Sequence, residues 1–177
     1  MIFLCIMGRS GSGKSLVESK LEQIGFKRNI SYTTREPQIR DGVLEESGRE
    51  YVFVSREKFM SLVDKGNIIE YEEYNGNLYG TPRPFGSTRY VSVVCVNGYK
   101  KLKEIYGDQV IGIYIKVDKD VAKNRGSARN NNTNIIEIRD KLDDKLVIEM
   151  EAEADIVIDG NKHINRVLAD ILKLIRQ

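Results

Sequence analysis

Ile2-Phe3-Leu4-Cys5-Ile6-Met7-Gly8-Arg9-Ser10-Gly11-Ser12-Gly13-Lys14-Ser15 is the stretch on which the fold turns. Ile2–Met7 is an uninterrupted apolar run, the pattern of a strand buried on both faces. Gly8 to Ser15 then fit G-x-x-x-x-G-K-[ST]. From Lys14 to Ile24 the apolar residues Leu16, Val17, Leu21 and Ile24 recur at helical spacing, and Gly25 ends the segment. Strand, glycine-rich turn and helix, in that order, form the setting in which such a loop binds phosphate. Gly8, Arg9, Ser10, Gly11, Ser12 and Gly13 would turn backbone N–H groups inward around phosphate oxygens, and the helix dipole adds to their field. Lys14 would bridge β- and γ-phosphates as a mobile charge. The Ser15 hydroxyl is a suitable oxygen ligand for Mg²⁺.

Outward from the loop, strands and helices alternate. Tyr90–Val96, Val110–Val117 and Asp155–Ile158 read as strands, and helices are expected from Asn97-Gly98 to Tyr106 and over Val121–Arg125, Ile135–Ala152 and Ile164–Ile175. Such alternation predicts an α/β fold with a central parallel sheet covered by helices on both faces. Residues 28–80 break the rhythm. Lys27–Thr34, Tyr51–Val54 and Ile68–Tyr74 read as successive strands, the last running into a hairpin turn at Asn75-Gly76-Asn77. One helix, Arg56–Lys65, lies among them, with Ser55 placed to cap its start and Gly66 to close it. The segment reads as a small β-rich insertion. Lys116–Asn134 is polar, with Asn130, Asn131, Asn132 and Asn134 close together, and is the candidate for a mobile lid. One domain is expected: core about 1–30, 90–117 and 135–177, insertion about 31–81, lid about 118–134.

The chain has 177 residues and a net charge of +2, from 28 basic and 26 acidic residues. That balance gives no argument for nucleic acid or a membrane surface as partner. Cys5 and Cys95 each lie in an apolar run and read as buried thiols, which fits a reducing cytoplasm rather than a disulfide framework. Met1–Met7 is too short for a signal peptide or a membrane span. His163, the lone histidine, reads as a surface residue.

A second constellation follows the loop: Ser31-Tyr32-Thr33-Thr34-Arg35-Glu36-Pro37, then Gly48-Arg49-Glu50-Tyr51, Ile68-Ile69-Glu70-Tyr71, and Asn75-Gly76-Asn77-Leu78-Tyr79-Gly80-Thr81. These types suit a nucleoside monophosphate. Arg35 can grip a phosphate dianion through its planar fork, and Tyr51 and Tyr79 can donate hydroxyls to the same oxygens. Guanine presents two adjacent donors, N1–H and the 2-amino group, and one acceptor, O6. A carboxylate such as Glu70 accepts from both donors, while the hydroxyls of Ser31 or Thr81 serve O6 or the amino group. Glu72 lies in phase with Glu70, so a solvated acidic strand face is the competing reading of both.

In order and near-family spacing, these motifs resemble the guanylate kinase family over almost the whole chain, including the tail from Ala154 to Asp159 and its following helix. The resemblance implies a P-loop kinase fold. It implies transfer of the γ-phosphoryl of ATP, with Mg²⁺, to GMP or dGMP by a monomer or homodimer. It assigns Ser31, Arg35, Tyr51, Glu70, Tyr79, Gly80 and Thr81 to the acceptor. Lys14, Arg35 and the lid and post-lid arginines Arg125, Arg129 and Arg139 would act on the transferring phosphoryl, whose equatorial oxygens carry negative charge.

The pattern departs from the family at four places. Gln38 stands where a second phosphate arginine is usual, although Arg40 lies nearby in a lengthened loop. Val93-Val94-Cys95-Val96-Asn97 carries no acid where the family has a D-x-D-like pair, one member of which helps read guanine. Pro82-Arg83-Pro84-Phe85-Gly86 replaces a helix. Asn97-Gly98-Tyr99-Lys100-Lys101 is similar to ribose 1,5-bisphosphate phosphokinases. A related kinase for another deoxynucleoside monophosphate or for that sugar is therefore the alternative. A non-catalytic binding module is a third reading, against which the intact Lys14-Ser15 pair argues.

Overall fold

The computed structural model of the chain describes residues 1–40, 42–127, 144 and 146–175. Strand β1 (Ile2–Met7) is its centre. Phe3, Leu4, Cys5, Ile6 and Met7 have no exposed surface, and the period-2 alternation of a strand divides them between two cores. Leu4 and Ile6 meet Val17 and Leu21 of helix α1 (Lys14–Gln23) and Val167 and Ile171 of the C-terminal helix (Ile164–Leu174). Phe3, Cys5 and Met7 meet Tyr90, Tyr114 and Met150 on the other face. Each large side chain so buried contributes about 1.5–3 kcal/mol, which is why a run of apolar residues at this point commits the chain to a sheet covered twice.

The next elements are strands β2 (Lys27–Arg28), β3 (Tyr32–Thr33), β4 (Ile39–Arg40), β5 (Val43–Leu44) and β6 (Val52–Phe53), then helix α2 (Arg56–Asp64) and the hairpin β7 (Ile68–Tyr74) and β8 (Asn77–Pro82). After these come β9 (Arg89–Val93), α3 (Val96–Tyr106), a 3₁₀ turn (Gly107–Gln109), β10 (Val110–Lys116) and α4 (Lys119–Ser127). A helix α5 over residues 146–153 precedes β11 (Ile156–Asp159) and the C-terminal helix, α6.

The main sheet is wholly parallel, in the order β11-β10-β1-β9-β2. A second sheet, β6-β3-β8-β7, holds the insertion, and β4 and β5 form a separate hairpin. Ser55 accepts a hydrogen bond from Lys58 N–H and caps α2, and Gly66 takes φ 67° after it, as the sequence predicts.

Two expectations are corrected. Lys27–Thr34 is two strands in different sheets. Asn29–Ser31 carry the chain between them, and Asn29 Nδ2 donates to the Pro82 carbonyl at 2.9 Å. Tyr90–Val96 is not strand throughout: β9 stops at Val93, and Cys95 caps a helix beginning at Val96, its sulfur accepting from Gly98 N–H. An apolar run does not by itself distinguish a buried strand from the buried first turn of a helix. The helix expected over Val121–Arg125 is present in the candidate lid segment and runs longer, from Lys119 to Ser127. In α4 Ala122 is buried and Val121 half-buried, both against the main core. Residues 128–134 of that segment lie outside the described residues.

Candidate active site

The C-terminal ends of parallel strands are where α/β sheets place their ligands, and the loop Gly8–Gly13 leaves the end of β1. Gly13 caps α1 with φ 94°, and its carbonyl accepts from Leu16 and Val17 N–H at 3.0 Å each. Gly11 has φ 78°, and a Cβ there would stand 2.1 Å from the Ala122 carbonyl oxygen. Glycine at this position therefore lets the loop rest on α4. The Lys14 ammonium donates to the carbonyls of Gly8 (2.6 Å) and Arg9 (2.7 Å), folded across the loop. Arg9 is 6% exposed. Its Nη2 bonds Asp144 at 2.7 Å, and Asp144 also pairs with Lys119. The Lys119 bond first, and then Arg9, hold the Asp144 carboxyl below its ordinary value.

A cavity of ≈ 380 Å³ collects every predicted acceptor residue. Ser31, Arg35, Tyr51, Glu70, Tyr79, Gly80 and Thr81 all line it, together with Gly8 of the phosphate loop. The second sheet sets their positions. Tyr32 pairs with Gly80 and Thr33 with Tyr79 across β3 and β8, and Glu70 faces Thr81 across β7 and β8 after an irregularity at Ile68/Glu70. Tyr51 and Tyr79 meet edge to face, with centroids 5.7 Å apart. The Arg35 guanidinium lies 5.4 Å from the Tyr51 centroid and 5.5 Å from that of Phe53. Its Nη2 is 2.7 Å from Glu45 Oε2, a close ion contact without hydrogen-bond alignment. The Thr81 hydroxyl donates to Glu70 Oε1. Burial pushes the Glu70 carboxyl above its ordinary 4.5; the Thr81 bond draws it down, and the charge of Glu72 raises it further.

A second cavity, ≈ 610 Å³, has Ser15 and Glu18 of α1 in its wall beside Ser31 and Tyr51. The phosphate loop's helix and the acceptor residues thus share a boundary. Glu18 is 7% exposed. Its Oε1 accepts from Val93 N–H at 3.2 Å, and its Oε2 is 3.1 Å from Arg28. Burial raises its carboxyl, while Arg28 and the Val93 bond oppose that shift.

Among the described residues no group of three His, Cys, Asp or Glu side chains forms a metal cluster. Ser15, exposed at the start of α1, supplies a hydroxyl after the loop, and Glu18 one turn on is already engaged. This donor set fits a Mg²⁺ carried largely by nucleotide phosphates and waters, the usual mode for that cation.

Arg125 donates from Nη1 to the Gly160 carbonyl at 3.1 Å, which ties the end of α4 to the end of β11. Arg129, Arg139 and the side chain of Arg40 lie outside what the structure describes. His163 caps α6, its Nδ1 accepting from Asn165 N–H at 3.4 Å. Cys5 is buried, while Cys95 is half-buried and lines the acceptor cavity. Sequence reasoning passed over Glu18 and Glu45. Glu18 lies three residues before Leu21, on the stripe that faces the core, so a charge in phase with apolar residues was its signal. Glu45 sits in a loop without periodicity and carries no comparable signal.

The guanylate kinase family profile matches residues 1–177. A guanylate kinase from Lactobacillus johnsonii is 32% identical, over 85% of this chain and 76% of that protein. One from Enterococcus faecalis is 27% identical over 99% of this chain and 97% of its own length. Among solved structures, a guanylate kinase from Anaplasma phagocytophilum superimposes with a TM-score of 0.75 at 28% identity, covering 99% of this chain and 84% of that one. With a cavity built from the residues the motifs named, a phosphate loop at its edge and a family match from end to end, the chain belongs to the guanylate kinase family.

Proposed function

We infer that the chain transfers the γ-phosphoryl group of ATP to GMP or dGMP, giving ADP and GDP or dGDP. The observation that carries this is a single cavity. It joins a carboxylate–hydroxyl set suited to guanine (Glu70, Thr81, Ser31) to a cationic and phenolic set suited to phosphate (Arg35, Tyr51, Tyr79), and it borders Gly8 of the triphosphate loop. In this reading Glu70 accepts from N1–H and the 2-amino group. Arg35 and the two tyrosines hold the acceptor phosphate, and backbone N–H groups of Gly8–Gly13 hold the donor phosphates. Lys14 exchanges its two loop carbonyls for phosphate oxygens and follows the migrating charge. Ser15 would be the protein ligand of a Mg²⁺ brought with ATP, which would supply charge neutralisation on the phosphates. Arg125, Arg129 and Arg139 complete the phosphoryl site from the segment about 118–134 and beyond, within one domain whose insertion spans about 31–81.

No helix among the described residues is long and apolar enough to cross a membrane. With free cysteines and small anionic substrates, the reading places the reaction in the cytoplasm. The test is ADP release measured across GMP, dGMP, IMP, AMP, dTMP and ribose 1,5-bisphosphate. Adenine sets a bare N1 lone pair against Glu70, so GMP is expected to exceed AMP in kcat/KM by at least about tenfold. Equal use of AMP or dTMP would sink the guanine assignment. Turnover of the sugar bisphosphate alone would select the sister activity.

A further inference from the structure

The strand end that should carry a base-reading acid carries none. β9 stops at Val93, and Val94, Cys95 and Val96 line the acceptor cavity without a charge. A carboxylate reaches the cavity from elsewhere. Glu72 lies two residues beyond Glu70 on β7, opposite Tyr79 as Glu70 is opposite Thr81, and so on the same face. It lines the same cavity. A solvated acidic face would leave it exposed and without a fixed partner. Instead it is half-buried, and the exposed Asn97 donates from Nδ2 to its Oε1 at 2.7 Å. Asn97 is the second residue of α3, and a helix N-terminus stabilises negative charge beside it. Cys95, the cap of that helix, faces both acids. Its thiol is pushed up to about 12, chiefly by burial and in lesser part by the charges of Glu72 and Glu70.

We propose that Glu72 is a second base-reading carboxylate, selecting an acceptor base that bears an exocyclic amino group next to its N1–H. The proposal deepens the guanylate reading above and rests on it. The chemistry of the 2-amino group supplies the reason. It has two N–H bonds. One lies alongside N1–H and pairs with Glu70 in the two-bonded arrangement. The other points away along the sugar edge and needs a separate acceptor. Strand geometry sets residues two apart roughly 6.6 Å from one another, so Glu70 and Glu72 are two distinct acceptors along one edge. Asn97 holds one Glu72 oxygen, which fixes the direction of the other. Hypoxanthine, with N1–H and O6 but no amino group, satisfies Glu70 alone and leaves Glu72 facing C2–H.

The experiment compares GMP with IMP as acceptors for wild type, Glu72→Gln and Glu72→Ala, with thermal melting confirming that each variant is folded. The wild type is expected to prefer GMP, and Glu72→Ala to reduce kcat/KM for GMP about tenfold more than for IMP, mainly through KM. Glu72→Gln, which keeps a neutral acceptor, is expected to fall between. If both variants lower GMP and IMP by the same factor, or lower neither, Glu72 does not read the amino group, although the chain remains a guanylate kinase. If the wild type does not phosphorylate GMP at all, the acceptor assignment fails and the role of Glu72 falls with it.

Discussion

Lys14 shows what a single side chain contributes to this site. Its ammonium crosses the loop to two backbone carbonyls, and its length lets it leave them for phosphate oxygens. Electrostatic stabilisation is the main resource in phosphoryl transfer, so Lys14→Ala should lower kcat by about 10²-fold or more, roughly 3 kcal/mol of barrier. The far-ultraviolet circular dichroism should be retained; near wild-type turnover in a folded variant would refute the assignment. Glu70 gives a pH signature. Its carboxyl is raised above the ordinary 4.5 by burial, so ionisation costs the folded state more than the unfolded one. The stability this group contributes is therefore full below the unfolded value and is lost as pH rises through the folded one; Glu70→Gln should remove that fall from a plot of Tm against pH. In the proposed role Glu70 reads guanine in its ionised form, so kcat/KM for GMP should decline on acidification while still above the ordinary carboxylate range. The ratio to AMP isolates this effect, because both acceptors share the phosphate titration near ~6. The Gly8–Ser15 loop was legible in the sequence because its spacing defines the motif. The place of Glu72 in the cavity wall was not: period 2 says which residues share a face, but whether the face meets water or a cavity depends on the arrival of α3 in the fold.

Among elements, the segment between β3 and β6 is the one that sequence described least well. Its charged residues show no apolar period, yet it sends Glu45 inward. The Glu45 side chain is 1% exposed and pairs with Arg35 at 11%, and its Oε2 also accepts from Gln38 N–H at 3.0 Å. Removing one partner of a buried pair strands the other charge. Glu45→Ala should therefore cost about 3 kcal/mol, read as a lower urea midpoint. Arg35→Ala combined with Glu45→Ala should cost less than the sum of the single changes; strict additivity would show that the contact is energetically idle. One face of this hairpin is apolar and open, with Ile39 at 72% exposure and its cross-strand partner Leu44 at 58%. Element boundaries failed in the sequence where side-chain caps decide them. Cys95 ends the extended chain by capping α3, which no count of apolar residues between Tyr90 and Val96 anticipates. α4 was read too short for a related reason: Val121 and Ala122 are its apolar anchors, and the polar residues around them gave no period.

For the whole molecule, the parallel core was legible because β–α alternation admits few other arrangements. The insertion was legible as a break in that alternation, although its sheet order was not. β3 takes β6 in parallel on one side and β8 antiparallel on the other, a pairing between segments far apart in sequence. Chain connectivity has a further consequence at Phe85, which is 85% exposed between β8 and β9. A protease with aromatic preference should cut there early. The fragments 1–85 and 86–177 would not each own a block of the main sheet. In the order β11-β10-β1-β9-β2, β1 and β2 come from the first fragment and the other three strands from the second, so the pieces interleave. The nicked protein should migrate as one species on a native gel and as two under denaturing conditions. The halves should reconstitute when expressed together, while the first expressed alone should fail to fold, because β1 has no β9 or β10 to lie between.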